Sequence, residues 1–540
     1  MKININLIFL LFINLIRLSC GYKFLVFTAT SSRSHMIASG RLADTLAEDG
    51  HNVTVLTHQH TLSSTEFKYT NQKIVTVGSV NQTNIEMFDK RKKISVENVF
   101  KGTSIMNTFY ATSGWSESLI KSCETVLIEN QKEIQILKSE NFDAILVGQL
   151  FPCGSALSRV LNIKVHFLIN SCSFADHIAS YVGLPVPLGY VPTVADLGVL
   201  DTMRFTDRIA NELESWMMTG YIKGFDGTTE LFRKYYGQEF PDVIIQQSPL
   251  IFTMVDEILD FPRPIFNKII NVGGLGMSRS TKALSEPFKT EIKKGKNGTV
   301  FFSLGSNADT SFVPYIVKKN LFDAFAVFPD YHFIVRLDEG DSEALEYARN
   351  INNVYVTHWA PQKELLEEAD LKLFITHGGY NSMLEVGYAG KPCLFIPMMF
   401  DQHRNAKIAE RNGWGKILNR KKLLETKDEL VEDLKEMLTN GNYTKAAMRV
   451  KKLLNSKPFS PKELFLKNIQ FVMENDGVLP ELQPASVNLS FIQQFNLDIY
   501  FLLFFTLLSL FFLVFYGLCF LVNSFRKSNL TEFIIKKKIQ

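Results

Sequence analysis

WAPQKELLEEADLKLFITHGGYNSMLEVGYAGKPCLFIPMMFDQHRN, residues 359–405, decides how this chain is read. Polar residues sit at the turns between alternating strands and helices. Lys372 to Thr376 reads as a short apolar strand, His377-Gly378-Gly379 ends it, and Asn381 begins a helix. A strand that runs through a glycine-rich turn into a helix makes an anion seat, because backbone N–H groups and the helix N-terminus face the ligand together. Asn381 and Glu385 are four apart and Ser382 and Glu385 three apart, so all three share one helix face. An anion seat flanked by hydrogen-bonding side chains suits a nucleotide diphosphate with its ribose.

The whole run resembles the signature of the UDP-glycosyltransferases, the family that includes the glucuronosyltransferases. It has a Trp-x-Pro-Gln start, a His-Gly-Gly turn, Asn-Ser and Glu on the helix, and an Asp-Gln end. FPCG at 151–154, VPTVADLGVLDTMRF at 191–205, FSLGS at 302–306 and LQPASVNLSFIQQFNLD at 482–498 are similar to further landmarks of that family. The resemblance covers nearly everything after residue 22. It implies an α/β chain of GT-B type, with two Rossmann-like domains facing a cleft and a C-terminal transmembrane helix.

The resemblance also implies roles. Trp359 would stack on the uracil, a contact worth roughly 1–3 kcal/mol for a base on an aromatic face. Gln362 would hydrogen-bond the uridine and Glu385 the ribose. His377 and Ser306 would meet the diphosphate at the turn formed by Gly378, Gly379, Asn381 and Ser382. Asp401 and Gln402 would hold the sugar hydroxyls. His35 would be the general base, giving inverted configuration at the transferred sugar. No metal and no cofactor is expected, since helix dipole and side chains suffice for the diphosphate. Asp338-Glu339-Gly340-Asp341 reads as a solvated turn and not as a metal site.

One departure from the family pattern bears on the chemistry. Matching FDAILVGQLFPCG to that pattern puts Gly148 where an acidic partner of the histidine belongs, with Gln149 beside it. Asp143 lies five residues too early. Loss of a carboxylate behind a catalytic histidine can cost on the order of 10²–10⁴ in rate. Another carboxylate could substitute, the acceptor could be acidic enough to need little help, or the protein could be slow or inactive.

Composition agrees with a membrane-bound enzyme. The chain has 540 residues, too many for one ordinary domain, and a net charge of +3 that implies no nucleic-acid partner. Ile3 to Ile16 is apolar and fits a secretory signal peptide over residues 1–21. Ile499 to Val522 is uncharged over a length that spans a bilayer. Arg526, Lys527, Lys536, Lys537 and Lys538 follow it against Glu532 alone. The positive-inside rule then puts residues 523–540 in the cytosol and the body in the lumen, a single-pass type I arrangement. Lys537 and Lys538, fourth and third from the end, match a dilysine signal for the endoplasmic reticulum. Cys123, Cys153, Cys172 and Cys393 lie in the body with no zinc spacing, and their pairing stays open. Sequons at Asn52, Asn81, Asn297, Asn442 and Asn488 are compatible with a lumenal glycoprotein.

Strands at Lys23 to Ala29, Val53 to Thr57, Ala144 to Val147 and Ile163 to Ile169 form a first αβ series. A second is expected to begin near Ile269, after the Pro-rich break DFPRP at 260–264. Residues 183–211 read as a long irregular excursion. The expected organisation is 22–265 for acceptor binding, 266–475 for UDP-sugar binding, 476–498 before the membrane and 499–522 through it. The expected function is transfer of glucuronate or glucose from a UDP-sugar to a hydroxyl of a small lipophilic acceptor. The alternative is a weak or inactive UDP-binding membrane protein acting through partners. Oligomeric state stays open, a homo-oligomer included.

Overall fold

A computed structural model describes residues 21–30, 33–60, 68–79, 93, 96, 99–100, 105–194, 199–217, 222–237, 242–277, 283–305, 308–398 and 400–539. Residues 1–20 of the expected signal segment, Asn81 and Ser306 lie outside the described residues.

Runs rich in Val, Ile, Leu and Phe without polar alternation are what parallel strands covered on both faces require. The first sheet is built from β1 (Lys23–Ala29), β2 (Asn52–His58), β3 (Lys73–Val77), β4 (Ala144–Gly148), β5 (Val165–Asn170), β6 (Ile251–Thr253) and β7 (Ile269–Asn271). Its order is β3-β2-β1-β4-β5-β6-β7, and the paired strands are parallel. Phe24, Val26, Leu146 and Phe167 pack into one layer, while Leu25, Phe27, Ile145 and Val147 pack into the other. The second sheet holds β8 (Thr299–Ser303), β9 (His332–Arg336), β10 (Val354–Thr357), β11 (Leu371–Thr376), β12 (Cys393–Phe395) and β13 (Gly415–Ile417). Its order is β10-β9-β8-β11-β12-β13, again parallel. Phe301 of β8 stacks on Phe374 of β11 with centroids 4.9 Å apart.

The helices that matter for the site are α1 (Arg33–Glu48), α2 (Ile105–Glu129), α3 (Pro152–Val160), α4 (Phe205–Met217), α5 (Gln362–Glu367), α6 (Tyr380–Ala389) and α7 (Gln402–Arg411). Helix α1 follows β1, and α6 follows β11. Each begins at the carboxyl end of a strand in its sheet, where open α/β sheets bind ligands. A disulfide joins Cys123 of α2 to Cys153 of α3.

Four sequence expectations are corrected. Strand β7 does not open the second series, because Ile269 pairs with Ile251 of β6 and completes the first sheet. Helix α8 (Pro461–Glu474), expected within the second domain, returns to the first. Its Phe465, Ile469 and Val472 join that core, and the Phe465 ring lies 4.9 Å from Phe252. The last part of the expected excursion is helical. The Asp207 carboxylate accepts from the Arg204 N–H at 3.0 Å and caps the start of α4. The acidic segment at 338–341 is a solvated turn only at Glu339 and Gly340: Asp338 pairs with Arg336, and Asp341 is buried against Lys318.

Residues from Pro484 form a separate unit. It carries α9 (Leu497–Ile539), in which Leu497–Ile535 is long and apolar enough to cross a membrane. The expected cytosolic tail continues that helix through Ile539.

Candidate active site

The turn after β11 is shaped by what cannot fit there. Gly378 has φ +85°, a conformation that glycine adopts without strain. The His377 ring is wedged between two loops: a side chain at Gly305 would run into it, and a Cβ at Gly379 would lie 2.6 Å from Nε2. Burial, with the Arg336 charge nearby, pushes the His377 pKa down to about 4, so the imidazole is neutral and offers one N–H. Gly379 caps α6, and the first bond inside that helix runs from the Met383 N–H to the Gly379 carbonyl at 3.0 Å. The N–H groups of Tyr380, Asn381 and Ser382 therefore have no acceptor within the helix. They lie open where the sequence reading expects an anion seat.

Around that seat the expected side chains converge. Gln362, the first residue of α5, donates from Nε2 to Ser382 Oγ at 3.2 Å and to Glu385 Oε2 at 2.7 Å. Burial raises the Glu385 pKa against the opposing pull of Arg41 and Gln362. Trp359 precedes α5 and is 71 % exposed, which leaves its ring open to stacking. Asn405 Nδ2 bridges the Gly378 carbonyl at 3.0 Å and Asp401 Oδ2 at 2.9 Å, which ties the Asp-Gln segment to the turn. Asp401 is held in poorly solvated surroundings, and burial raises its pKa. Gln402 is already engaged: its Oε1 accepts from the Met398 N–H at 2.8 Å.

On the opposite side of the cleft, His35 lies in the first turn of α1. Its ring packs edge-on against Phe151, with centroids 5.9 Å apart and planes at 77°. Burial alone pushes its pKa down to about 4, and no carboxylate among the described residues offsets that. At Gly148 a Cβ would lie 3.0 Å from the Phe151 ring, and the backbone there is not left-handed. Phe151 thus borders both the histidine and the position where the family pattern has an acid. Gln149 does not replace the acid: its Nε2 donates to Cys172 Sγ at 3.3 Å, and its Oε1 accepts no hydrogen bond from the described residues.

The two sides meet at α1 and α6. Asn381 Nδ2 donates to the Ser34 carbonyl at 3.3 Å, which sets His35 next to the start of α6. Arg41 Nη2 stands 3.7 Å from Glu385 Oε1.

Two arginines of this region were not singled out from the sequence. Arg336, at the end of β9, donates to the Gly305 carbonyl at 2.8 Å and pairs with Asp338 through both terminal nitrogens. It fixes the loop that presses on His377. A basic residue closing a strand beside β8 was the available signal. Arg404 is buried and donates to the Pro192 carbonyl at 3.1 Å, to Ser173 Oγ at 2.7 Å and to Asp260. These partners are more than a hundred residues away, so local spacing held no sign of them.

A family model described as UDP-glucoronosyl and UDP-glucosyl transferase matches residues 23–530. The chain belongs to this family. It is a UDP-glycosyltransferase. It is 35% identical over 519 residues to ugt-47 of Caenorhabditis elegans, which carries the name of a UDP-glucuronosyltransferase; the match covers 92% of this chain and 93% of that one. It is 30% identical over 432 residues to UDP-glucuronosyltransferase 1-2 of Mus musculus, covering 78% and 77%. Among solved structures it resembles the glycosyltransferase of kitacinnamycin, with TM-score 0.55, 17% identity and coverage of 84% and 99%. The calicheamicin glycosyltransferase CalG4 aligns with TM-score 0.55, 16% identity and coverage of 84% and 98%. These structures support the GT-B fold, and the family supplies the activity.

Proposed function

We propose that this UDP-glycosyltransferase moves glucuronate or glucose from the UDP-sugar to a hydroxyl of a small lipophilic acceptor, with inversion at the sugar. The contact between Asn381 and the Ser34 carbonyl carries the reading, since it sets a neutral histidine beside the helix that seats the donor. His35 takes the acceptor proton as the hydroxyl oxygen attacks the anomeric carbon. The bond from that carbon to UDP breaks on the opposite face. The leaving diphosphate gains charge at the α6 N-terminus, beside the His377 N–H. Ser306 belongs to the same diphosphate contact. Trp359 and Gln362 hold the uridine, and Asp401 and Gln402 hold the sugar. The scheme requires no metal and no cofactor.

A histidine that binds its proton weakly and has no carboxylate behind it is a weak base. Acceptors whose hydroxyl is itself acidic are then favoured, phenols over alkanols. We place the body in the endoplasmic reticulum lumen, with α9 through the membrane and Lys537 and Lys538 in the cytosol. The Cys123–Cys153 bond supports an oxidising compartment.

The test is UDP release from a set of UDP-sugars against a library of phenols and alkanols. Turnover confined to UDP-glucuronate or UDP-glucose, and fastest with phenols, is the expected result. UDP binding without turnover on any acceptor would return the alternative of an inactive UDP-binding protein.

A further inference from the structure

Arg41 lies six residues beyond His35 on α1, and nothing in the donor signature calls for it. Its stem packs on Gly276, where φ is +68° and a Cβ would lie 2.8 Å from Arg41 Cβ and Cγ. The stem is therefore fixed, but the head is not. Nη2 is 3.7 Å from Glu385 Oε1, too long for a hydrogen bond. Nη1 is covered and has no partner among the described residues. A covered guanidinium nitrogen left unpaired is unfavourable, and such groups ordinarily have an acceptor. Glu385 is also half-satisfied, with Oε2 taken by Gln362 and Oε1 facing Arg41. Both side chains keep some surface open, 19% for Arg41 and 16% for Glu385.

A donor and an acceptor that stand close without bonding each other define the chemistry that fits between them. An anion would be attracted by Arg41 and repelled by Glu385. An apolar group would leave both unsatisfied. A vicinal diol satisfies both, because each hydroxyl donates and accepts. We propose that Arg41 is a donor-binding residue, which together with Glu385 seats the ribose hydroxyls of the UDP-sugar. This rests on the reading of α6 as the donor helix. It deepens that reading by drawing a residue of the acceptor half into the donor site. Arg41 and the Ser34 carbonyl then tie α1 to α6 on either side of His35, so ribose occupancy positions the base.

The experiment compares UDP with 2′-deoxy-UDP and 3′-deoxy-UDP by calorimetry on the full-length protein. The wild type should prefer UDP to at least one deoxy analogue by roughly tenfold or more, the worth of a charge-assisted hydrogen bond. Arg41→Met keeps the stem and should lose most of that preference, while binding the same deoxy analogue nearly as the wild type does. Arg41→Lys should recover part of it, and serves also if the methionine variant does not fold. Equal weakening of all three nucleotides would make Arg41 a structural strut and overturn the proposal. Glu385→Gln separates the two levels. If it abolishes the preference while Arg41→Met leaves it intact, the donor site stands and Arg41 is excluded. If neither changes it, the assignment of Glu385 to the ribose falls as well.

Discussion

The two sides of the cleft are built by different means. On the donor side, backbone does much of the chemistry: a glycine turn with φ +85°, open N–H groups at the start of α6, and a histidine locked between Gly305 and Gly379. On the acceptor side, side chains from distant segments do it. His35 of α1 meets Phe151 beyond β4, and Gly148 leaves an empty carboxylate position beside the same ring. Both histidines have pKa values depressed to about 4, yet the two loci differ. His377 has the Arg336 charge close by, whereas His35 is shifted by burial alone. A neutral histidine fits a diphosphate seat as a hydrogen-bond donor. A neutral histidine with no carboxylate behind it makes a weak base. The donor side is thus built almost wholly from its own half, with Arg41 of α1 reaching it from the other, and the acceptor side depends on its substrate.

Variants can break that division. The largest effect is expected from His35→Ala, which should lower transfer to neutral acceptors by about 10²–10⁴. UDP affinity should not change, as read by UDP release beside calorimetry. Full activity on an alkanol would remove His35 from the mechanism. Next in size, Asp401→Ala should lower transfer about a hundredfold while UDP binds nearly as before. His377→Ala should weaken UDP itself by roughly tenfold, the worth of one hydrogen bond to a charged group. Unchanged UDP affinity in His377→Ala would dissolve the diphosphate assignment.

The smallest effect is expected from Gly148→Asp. The backbone there accepts a side chain, but Phe151 must give way at 3.0 Å. A carboxylate near His35 would raise its pKa and make it a better base, so we expect a gain of a few fold on alkanols and less on phenols. A folded variant whose rates on both acceptor classes are unchanged from the wild type would show that the missing acid does not limit the enzyme.

The same contrast explains what the sequence disclosed. The geometry of the expected donor seat was legible because its parts are contiguous: Gln362, His377, Asn381, Ser382 and Glu385 are fixed by one strand–turn–helix run, and helical spacing alone puts three of them on one face. The parallel strands were legible because both their faces are apolar. Strand β7 was assigned to the wrong sheet because a short apolar run does not declare its neighbour. Helix α4 was missed behind a Pro- and Gly-rich lead. Asp338 and Asp341 read as solvated because their partners, Arg336 and Lys318, are specified by packing and not by local pattern. Arg41 and Arg404 are legible only in three dimensions, where one residue reaches a helix more than three hundred positions away and the other reaches three separate loops.

The pH dependence of kcat/KM on a neutral phenol tests the central claim most directly. On the proposed mechanism the free enzyme needs His35 unprotonated, so activity should be lost as pH falls through the histidine's own value. With burial unopposed by any carboxylate among the described residues, the acid limb should lie near pH 4, and His35→Ala should abolish it. An acid limb at pH 6.5 or above that disappears in His35→Ala would contradict the account, because a charge partner would then be supporting the base.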